Sequence, residues 1–211
     1  MADIDDTPFH QAWDRLEAWL AGHSPDDHAT LLQPATPSDL RTLEDALGFA
    51  LHPELTTLLQ RHNGSCEHHL GRYSPPFPAG AFLPMGHRLA GTAGIATGHR
   101  ELVELDEQYP STGFWHEDDV EGHRRHWVPF AYPNDGGLAF IDHHPGATYG
   151  HVYEFGLGSG AVEASKWADS LTHFIATVTD SLTAGSAFRH FRPSTFQHPS
   201  GALCVDWRSG L

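Results

Sequence analysis

The stretch WVPFAYPNDGGLAFIDHHPG, positions 127–146, constrains the fold more than any other part of the chain. Two compact apolar runs, WVPFA and LAFID, flank a proline, an asparagine, an aspartate and two glycines. Such residues supply the positive-φ positions of a tight connection, so the pattern predicts strand, turn and strand. Asp135 is then a turn former rather than a base. The competing interpretation is a catalytic or metal-binding cluster of Asn134, Asp135, Asp142, His143 and His144.

The same alternation continues after this hairpin. HHPGATYG predicts a second turn, HVYEF a third strand, GLGSG another turn and AVEA a short fourth strand. We therefore expect a three- or four-stranded antiparallel meander. A helix ending near Gly185 should follow and lie on the sheet, since one face of the segment SKWADSLTHFIATVTDSLTAG carries Trp167, Leu171, Phe174, Ile175, Val178 and Leu182.

Helical signals dominate the chain before the meander. Thr7-Pro8, Ser24-Pro25 and Thr36-Pro37 each pair a capping residue with a first-turn proline, and Pro53 opens a further helix. Residues 92–108 also predict a helix, whereas AFLPMG at 81–86 predicts a first strand. The fold class is thus α+β, with N-terminal helices plus a central antiparallel β-meander sheet covered by a C-terminal amphipathic helix.

One domain is the expectation for 211 residues. We divide the chain into an N-terminal helical extension of that domain (1–33), the main domain (34–184) and a C-terminal tail (185–211). The tail is rich in turn-forming residues and keeps several aromatic ones, so we expect it to pack on the domain.

Charge narrows the classes of partner. The chain has 27 Asp and Glu against 12 Lys and Arg, a formal net charge of −15. Nucleic acid is an unsuitable partner, because binding phosphates needs clustered cations. A basic protein is a suitable one, although solubility alone also explains an acidic surface. The sequence has no membrane-spanning apolar run and no basic leader followed by an apolar one, so we expect a cytoplasmic protein without a membrane partner.

A zinc site is the main chemical alternative. His62, Cys66, His68 and His69 lie close together in sequence, and imidazole with thiolate suits zinc. However, 18 histidines produce neighbours by chance, and this spacing matches no standard zinc motif. Hydrolase motifs are also missing, since GLGSG is not a nucleophile elbow. We therefore expect no cofactor, no metal and no catalytic residues.

An acidic segment before Arg124 offers the best candidate contacts for a basic protein. Aromatic residues within a polar rim are favoured at interfaces. The competing interpretation is a solvated loop. The candidate partner-binding residues are Trp115, Glu117, Asp118, Asp119 and Glu121.

Two blocks of sequence carry a family resemblance. The first contains P-A-T from Pro34, the L-x-x-L-E-x-x-L-G core of Leu40 to Gly48, Leu51-x-Pro53 and His62-Asn63-Gly64. The second contains Trp127-x-Pro129-Phe130, Gly136-Gly137, Asp142, Pro145, Gly150-His151-Val152 and the amphipathic helix. Together they resemble the Smi/Knr-type proteins of the SUKH superfamily. The first helix, the loop 65–80 and the tail lie outside the resemblance.

The resemblance implies a non-enzymatic, protein-binding domain and supplies no catalytic residues. Bacterial members act as immunity proteins that neutralise toxins, many of them nucleases, and fungal relatives act as interaction hubs in cell-wall synthesis and signalling. The hypothesis is an immunity protein for a basic, possibly nuclease, toxin. The alternative is a regulatory adaptor in cell-envelope synthesis or signalling. A zinc-binding protein or a hydrolase is the remaining alternative.

Overall fold

A computed structural model describes residues 6–66, 68–70, 77–108, 119–134, 136–156, 163–199 and 201–210. Its α-helices are α1 (Thr7–His23), α2 (Pro25–His28), α3 (Pro37–Leu47), α4 (Pro53–Arg61), α5 (Thr92–Gln108) and α6 (Leu171–Ala184). Its strands are β1 (His68–Leu70), β2 (Phe77–Ala79), β3 (Arg88–Leu89), β4 (Trp127–Tyr132), β5 (Leu138–Asp142), β6 (Val152–Phe155), β7 (Ser165–Ala168), β8 (Phe191–Gln197) and β9 (Leu203–Ser209). Two 3₁₀ segments, Pro84–Gly86 and Val120–His126, connect them.

The central sheet has the strand order β3-β4-β5-β6-β7, and each neighbouring pair is antiparallel. The α+β class is confirmed, as is the helix over residues 92–108. The hairpin of the opening stretch is also confirmed, since Trp127 pairs with Asp142 and Val128 with Ile141.

Two predicted elements are wrong in detail. Residues 81–86 do not form a strand: Pro84 cannot donate a backbone hydrogen bond and Met85 has a φ of 59°, so the chain turns there and β3 follows at Arg88. The last described strand of the sheet is β7, which places Trp167 in a strand, and Ala161 and Val162 of AVEA lie outside the described residues. The final helix begins only at Leu171, because the Ser170 hydroxyl accepts a hydrogen bond from the His173 amide at 3.1 Å.

Both faces of the sheet are buried. Phe130 on one face lies 5.8 Å from Phe174 of α6, in the main core that also contains the leucines of α1, α3 and α4. On the other face Trp127 stacks on Phe140 at 4.1 Å, in a second cluster with Leu102 of α5. Burial on both faces explains why β5 reads LAFID, an apolar run rather than an alternating one.

The tail forms a β8–β9 hairpin that contacts α2. The Asp27 carboxylate accepts hydrogen bonds from the amides of Val205 and Gly80, each at 2.6 Å, and Asp26 accepts one from Leu203 at 2.7 Å. Val205 also belongs to the main core. The two acidic residues of a four-residue helix therefore hold the hairpin against the domain.

Within the described ranges, no helix combines the length and apolarity needed to cross a membrane.

Candidate functional site

A groove of about 520 Å³ lies between α3, α5 and the 3₁₀ segment Val120–His126. We call it the α3–α5 groove. Two glycines help to shape it. Gly48 ends α3 with a φ of 82°, which turns the chain so that Phe49 lines the groove. Gly98 allows α5 to approach β4, because a Cβ there would lie 1.7 Å from the Tyr132 hydroxyl oxygen. The apolar lining consists of Ala46, Leu47, Phe49, Ala96 and Val103.

Three imidazole rings surround the Phe49 ring. His126, His143 and His99 have ring centroids 5.5, 5.6 and 5.8 Å from that of Phe49. His99 donates from Nε2 to the Arg125 carbonyl at 2.9 Å, which ties α5 to the 3₁₀ segment. Burial lowers the pKa of His99, so the ring is neutral at physiological pH.

His143 is the most deeply placed of these rings. Its Nε2 accepts a hydrogen bond from the His52 amide at 2.8 Å, and its Nδ1 donates to the Ile141 carbonyl at 3.0 Å. This pairing requires the neutral ring in one tautomer. Burial lowers the pKa of His143 to about 4. His143 therefore joins the start of α4 to the end of β5 and is a structural support of the groove.

A further histidine group adjoins the groove. His123 and His144 stack with centroids 3.5 Å apart, and His126 lies 5.2 Å from His144. Burial, followed by the neighbouring His144 ring, lowers the pKa of His126. The three rings therefore form one aromatic group beside the groove.

The polar residues of the opening stretch serve the turns. Asp142 is fully buried, and its carboxylate accepts hydrogen bonds from the Thr148 hydroxyl at 2.6 Å and the His144 amide at 2.9 Å. Asn134 accepts a hydrogen bond from Arg88 at 2.7 Å. Asp135 lies outside the described residues. Turn chemistry, rather than a catalytic cluster, accounts for Asn134 and Asp142.

Two arginines form the charged part of the groove lining. Arg125 pairs with Asp106 at 3.2 Å and Glu107 at 3.3 Å. In contrast, no ion pair joins Arg100 to a carboxylate among the described residues. The described lining contains no carboxylate, hydroxyl or thiol side chain. The groove offers an apolar floor, neutral imidazoles and one available guanidinium. This lining suits the binding of a ligand that has both an apolar and a polar part.

The candidate zinc ligands of the alternative interpretation are only partly described. His62 bonds through Nδ1 to the Leu32 carbonyl at 2.9 Å, and its Nε2 lies 3.5 Å from Glu17. Cys66 is exposed. His68 and His69 belong to β1, but their side chains lie outside the description. Among the side chains that are described, no group of three His, Cys, Asp or Glu residues could hold a metal ion.

The predicted acidic contacts are only partly described. Trp115, Glu117 and Asp118 lie outside the described residues, and Asp119 is half-buried just before the 3₁₀ segment. Glu121 is only 7% exposed, and its carboxylate accepts a hydrogen bond from the Ala164 amide at 2.7 Å. Glu121 therefore serves the fold, which removes it from the candidate contact surface.

Sequence reasoning missed the groove altogether. His99 lies within a predicted helix and His126 at the end of a charged segment, and neither belongs to a motif. Only the packing of α5 against β4 brings them to one surface. The small residues Ala46 and Ala96 leave the space between the helices, but alanine is common in helices and gave no signal.

The family comparison covers the groove and the sheet. A model of the SMI1 / KNR4 family (SUKH-1) matches residues 34–177, more than half of the chain. The matched region runs from just before α3 into α6 and includes every described residue that lines the groove. A search of curated proteins gave no match to the sequence.

Proposed function

Because the chain belongs to the SMI1 / KNR4 family (SUKH-1), we propose that it is a non-enzymatic protein-binding domain, an immunity protein that binds and neutralises a basic toxin. A nuclease is the toxin class that fits best, since a nuclease needs a basic substrate groove that an acidic protein can occupy. The observation that carries the proposal is the formal net charge of −15.

The distribution of ion pairs supports an acidic binding surface. Several of the cations are already paired within the chain, as Arg15 is with Asp180, Arg61 with Asp14 and Lys166 with Asp169. The surplus carboxylates are therefore what an approaching protein meets. Long-range attraction of this kind raises association rates and is screened by salt.

Two exposed carboxylates on α5 add to the acidic surface. Glu101 and Glu104 are exposed, and no ion pair joins either to a cation among the described residues. They lie on the helix that leads into the segment containing Trp115, Glu117 and Asp118. We propose that Glu101 and Glu104 contribute to the surface that binds a basic partner.

Affinity capture tests this function. The tagged full-length chain is used as bait in an extract of the source cells, at low and at high salt, and retained proteins are identified by mass spectrometry. We expect one basic toxin domain, retained at low salt and lost at high salt. Recovery of cell-envelope or signalling proteins instead would support the alternative, a regulatory adaptor built on the same scaffold.

Charge variants make the test specific to the surface. The double variant Glu101→Gln/Glu104→Gln should weaken capture of the basic domain at low salt. The control Asp14→Asn/Asp180→Asn changes net charge by the same amount on α1 and α6, so it should weaken capture less. If both double variants capture the basic domain equally weakly, net charge rather than this surface governs association.

A further inference from the structure

The α3–α5 groove adjoins a second groove between the same two helices. This second groove, of about 210 Å³, shares Ala46 and Ala96 with the first and continues along the two helices past Thr42 and Ala93 to Asp39, whose carboxylate is bonded to Thr36 in the cap of α3. Small side chains on both helices keep this seam open. An extended segment of a partner protein can therefore lie along it, with an apolar side chain seated against Leu47, Phe49 and Val103.

The charge of the lining is opposite to that of the protein. The chain as a whole is strongly acidic, yet the ionised side chains of the α3–α5 groove are Arg100 and Arg125. Arg125 is neutralised by Asp106 and Glu107. Glu104 lies four residues after Arg100 on α5. A helical ion pair is weaker when the arginine comes before the glutamate than when it comes after, so Glu104 does not hold the Arg100 guanidinium firmly. Arg100 is thus the cation of the groove that remains available to a ligand.

From these two observations we propose that the α3–α5 groove binds a partner segment in which an apolar side chain lies next to a carboxylate. The apolar side chain fills the floor beside Phe49, and the carboxylate pairs with the Arg100 guanidinium, which can offer two parallel N–H donors. The inference rests on the proposed protein-binding function and names a second contact, distinct from the acidic surface.

Two small probes isolate the chemistry. N-acetylphenylalanine carries an apolar ring beside a carboxylate, and N-acetylphenylalaninamide has the same ring without the charge. Each is titrated into the ¹⁵N-labelled full-length chain and followed by NMR. We expect the acid to shift the amide signals of Ala46, Ala96 and Val103 and to bind roughly threefold to tenfold more tightly than the amide, as suits one charge-assisted contact near the surface.

Matched arginine variants test the role of Arg100. Arg100→Gln should remove the preference for the acid over the amide. Arg41→Gln should keep it, because Arg41 is an exposed arginine of α3 that does not line the groove. Equal binding of the two probes to the original chain, shifts confined to other surfaces, or the same loss in both variants would overturn the inference.

A blocking variant separates this inference from the proposed function. Ala96→Leu fills the groove, whereas Thr97→Leu adds an apolar side chain at the next, exposed position of α5. A basic toxin domain that binds the original chain should bind Ala96→Leu at least about tenfold more weakly and Thr97→Leu nearly normally. Equal binding to Ala96→Leu would overturn the groove inference and leave the proposed function standing. If the probes bind in the groove but no toxin partner is found, the groove inference stands and the proposed immunity function is overturned.

Discussion

The Nε2 atom of His143 accepts a hydrogen bond from the backbone amide of His52 at 2.8 Å. His52 in turn caps α4, since its Nδ1 accepts from the Glu54 amide at 3.3 Å. Glu54 then caps α6 by accepting hydrogen bonds from the amides of Leu171 and Thr172. A continuous series of hydrogen bonds thus links His143, which supports the groove, to the start of α6.

The His143 bond predicts a loss of stability in acid. Because burial lowers the pKa of His143 to about 4, the unfolded chain takes up this proton first, near pH 6.5. The contribution of neutral His143 to the free energy of unfolding is fully present above about pH 6.5. As the pH falls toward 4, that free energy decreases by about 2–3 kcal/mol. Urea unfolding at a series of pH values measures it. His143→Gln should flatten this part of the profile, and exposed His173→Gln should leave it unchanged.

Removing the charge of Glu54 should weaken the start of α6. Its carboxylate accepts hydrogen bonds from two amides and from the Thr172 hydroxyl, at a helix N-terminus that favours negative charge. We expect Glu54→Gln to lower the free energy of unfolding by about 1–2 kcal/mol. Exposed Glu101→Gln should change it by less than about 0.5 kcal/mol, and chemical denaturation compares them. Equal stability of the two variants would contradict the capping role.

Two glycines of α5 should respond to alanine in opposite directions. A Cβ at Gly98 would lie 1.7 Å from the Tyr132 hydroxyl oxygen, so Gly98→Ala should destabilise by about 1–3 kcal/mol. At Gly94 the nearest atom would be 3.7 Å away, so Gly94→Ala should stabilise by about 0.5–1 kcal/mol through helix propensity. Melting temperatures of both variants decide this. A stabilised Gly98→Ala would contradict the close approach of α5 to β4.

The buried carboxylate of Asp27 should hold the C-terminal hairpin in place. It is 1% exposed and accepts hydrogen bonds from the Ser24 hydroxyl and the amides of Gly80 and Val205. In Asp27→Asn an amide group must face one of these donors, so we expect a loss of about 2–4 kcal/mol. Amide exchange in β9 should accelerate far more than in β5. The surface variant Asp169→Asn should leave both rates unchanged, and unaltered exchange in Asp27→Asn would refute the assignment.

Local chemistry explains what the sequence could predict. Thr36 caps α3 as predicted, and with Asp39 it forms a capping box: the Asp39 amide donates to the Thr36 hydroxyl at 3.2 Å, and the Thr36 amide donates to the Asp39 carboxylate at 2.8 Å. The hairpin from Trp127 to Asp142 follows from equally local turn residues. Both signals lie within a few positions of the structure that they specify.

Features that depend on tertiary packing could not be predicted from the sequence. Trp167 fits an apolar helical stripe, yet it lies in β7, because Ser170 begins the helix later than the stripe suggests. Glu121 looks like part of a solvated acidic run, yet the Ala164 amide occupies its carboxylate. The α3–α5 groove depends on distances between helices that no short pattern encodes.

Stoichiometric neutralisation of the captured basic domain tests the central claim most directly. The purified domain is assayed for its own activity, nuclease activity in the first instance, while the full-length chain is added in increasing amounts. We predict that activity falls linearly and ends near one chain per domain, at low salt and neutral pH. A domain that keeps its activity when saturated with the chain would contradict the immunity function.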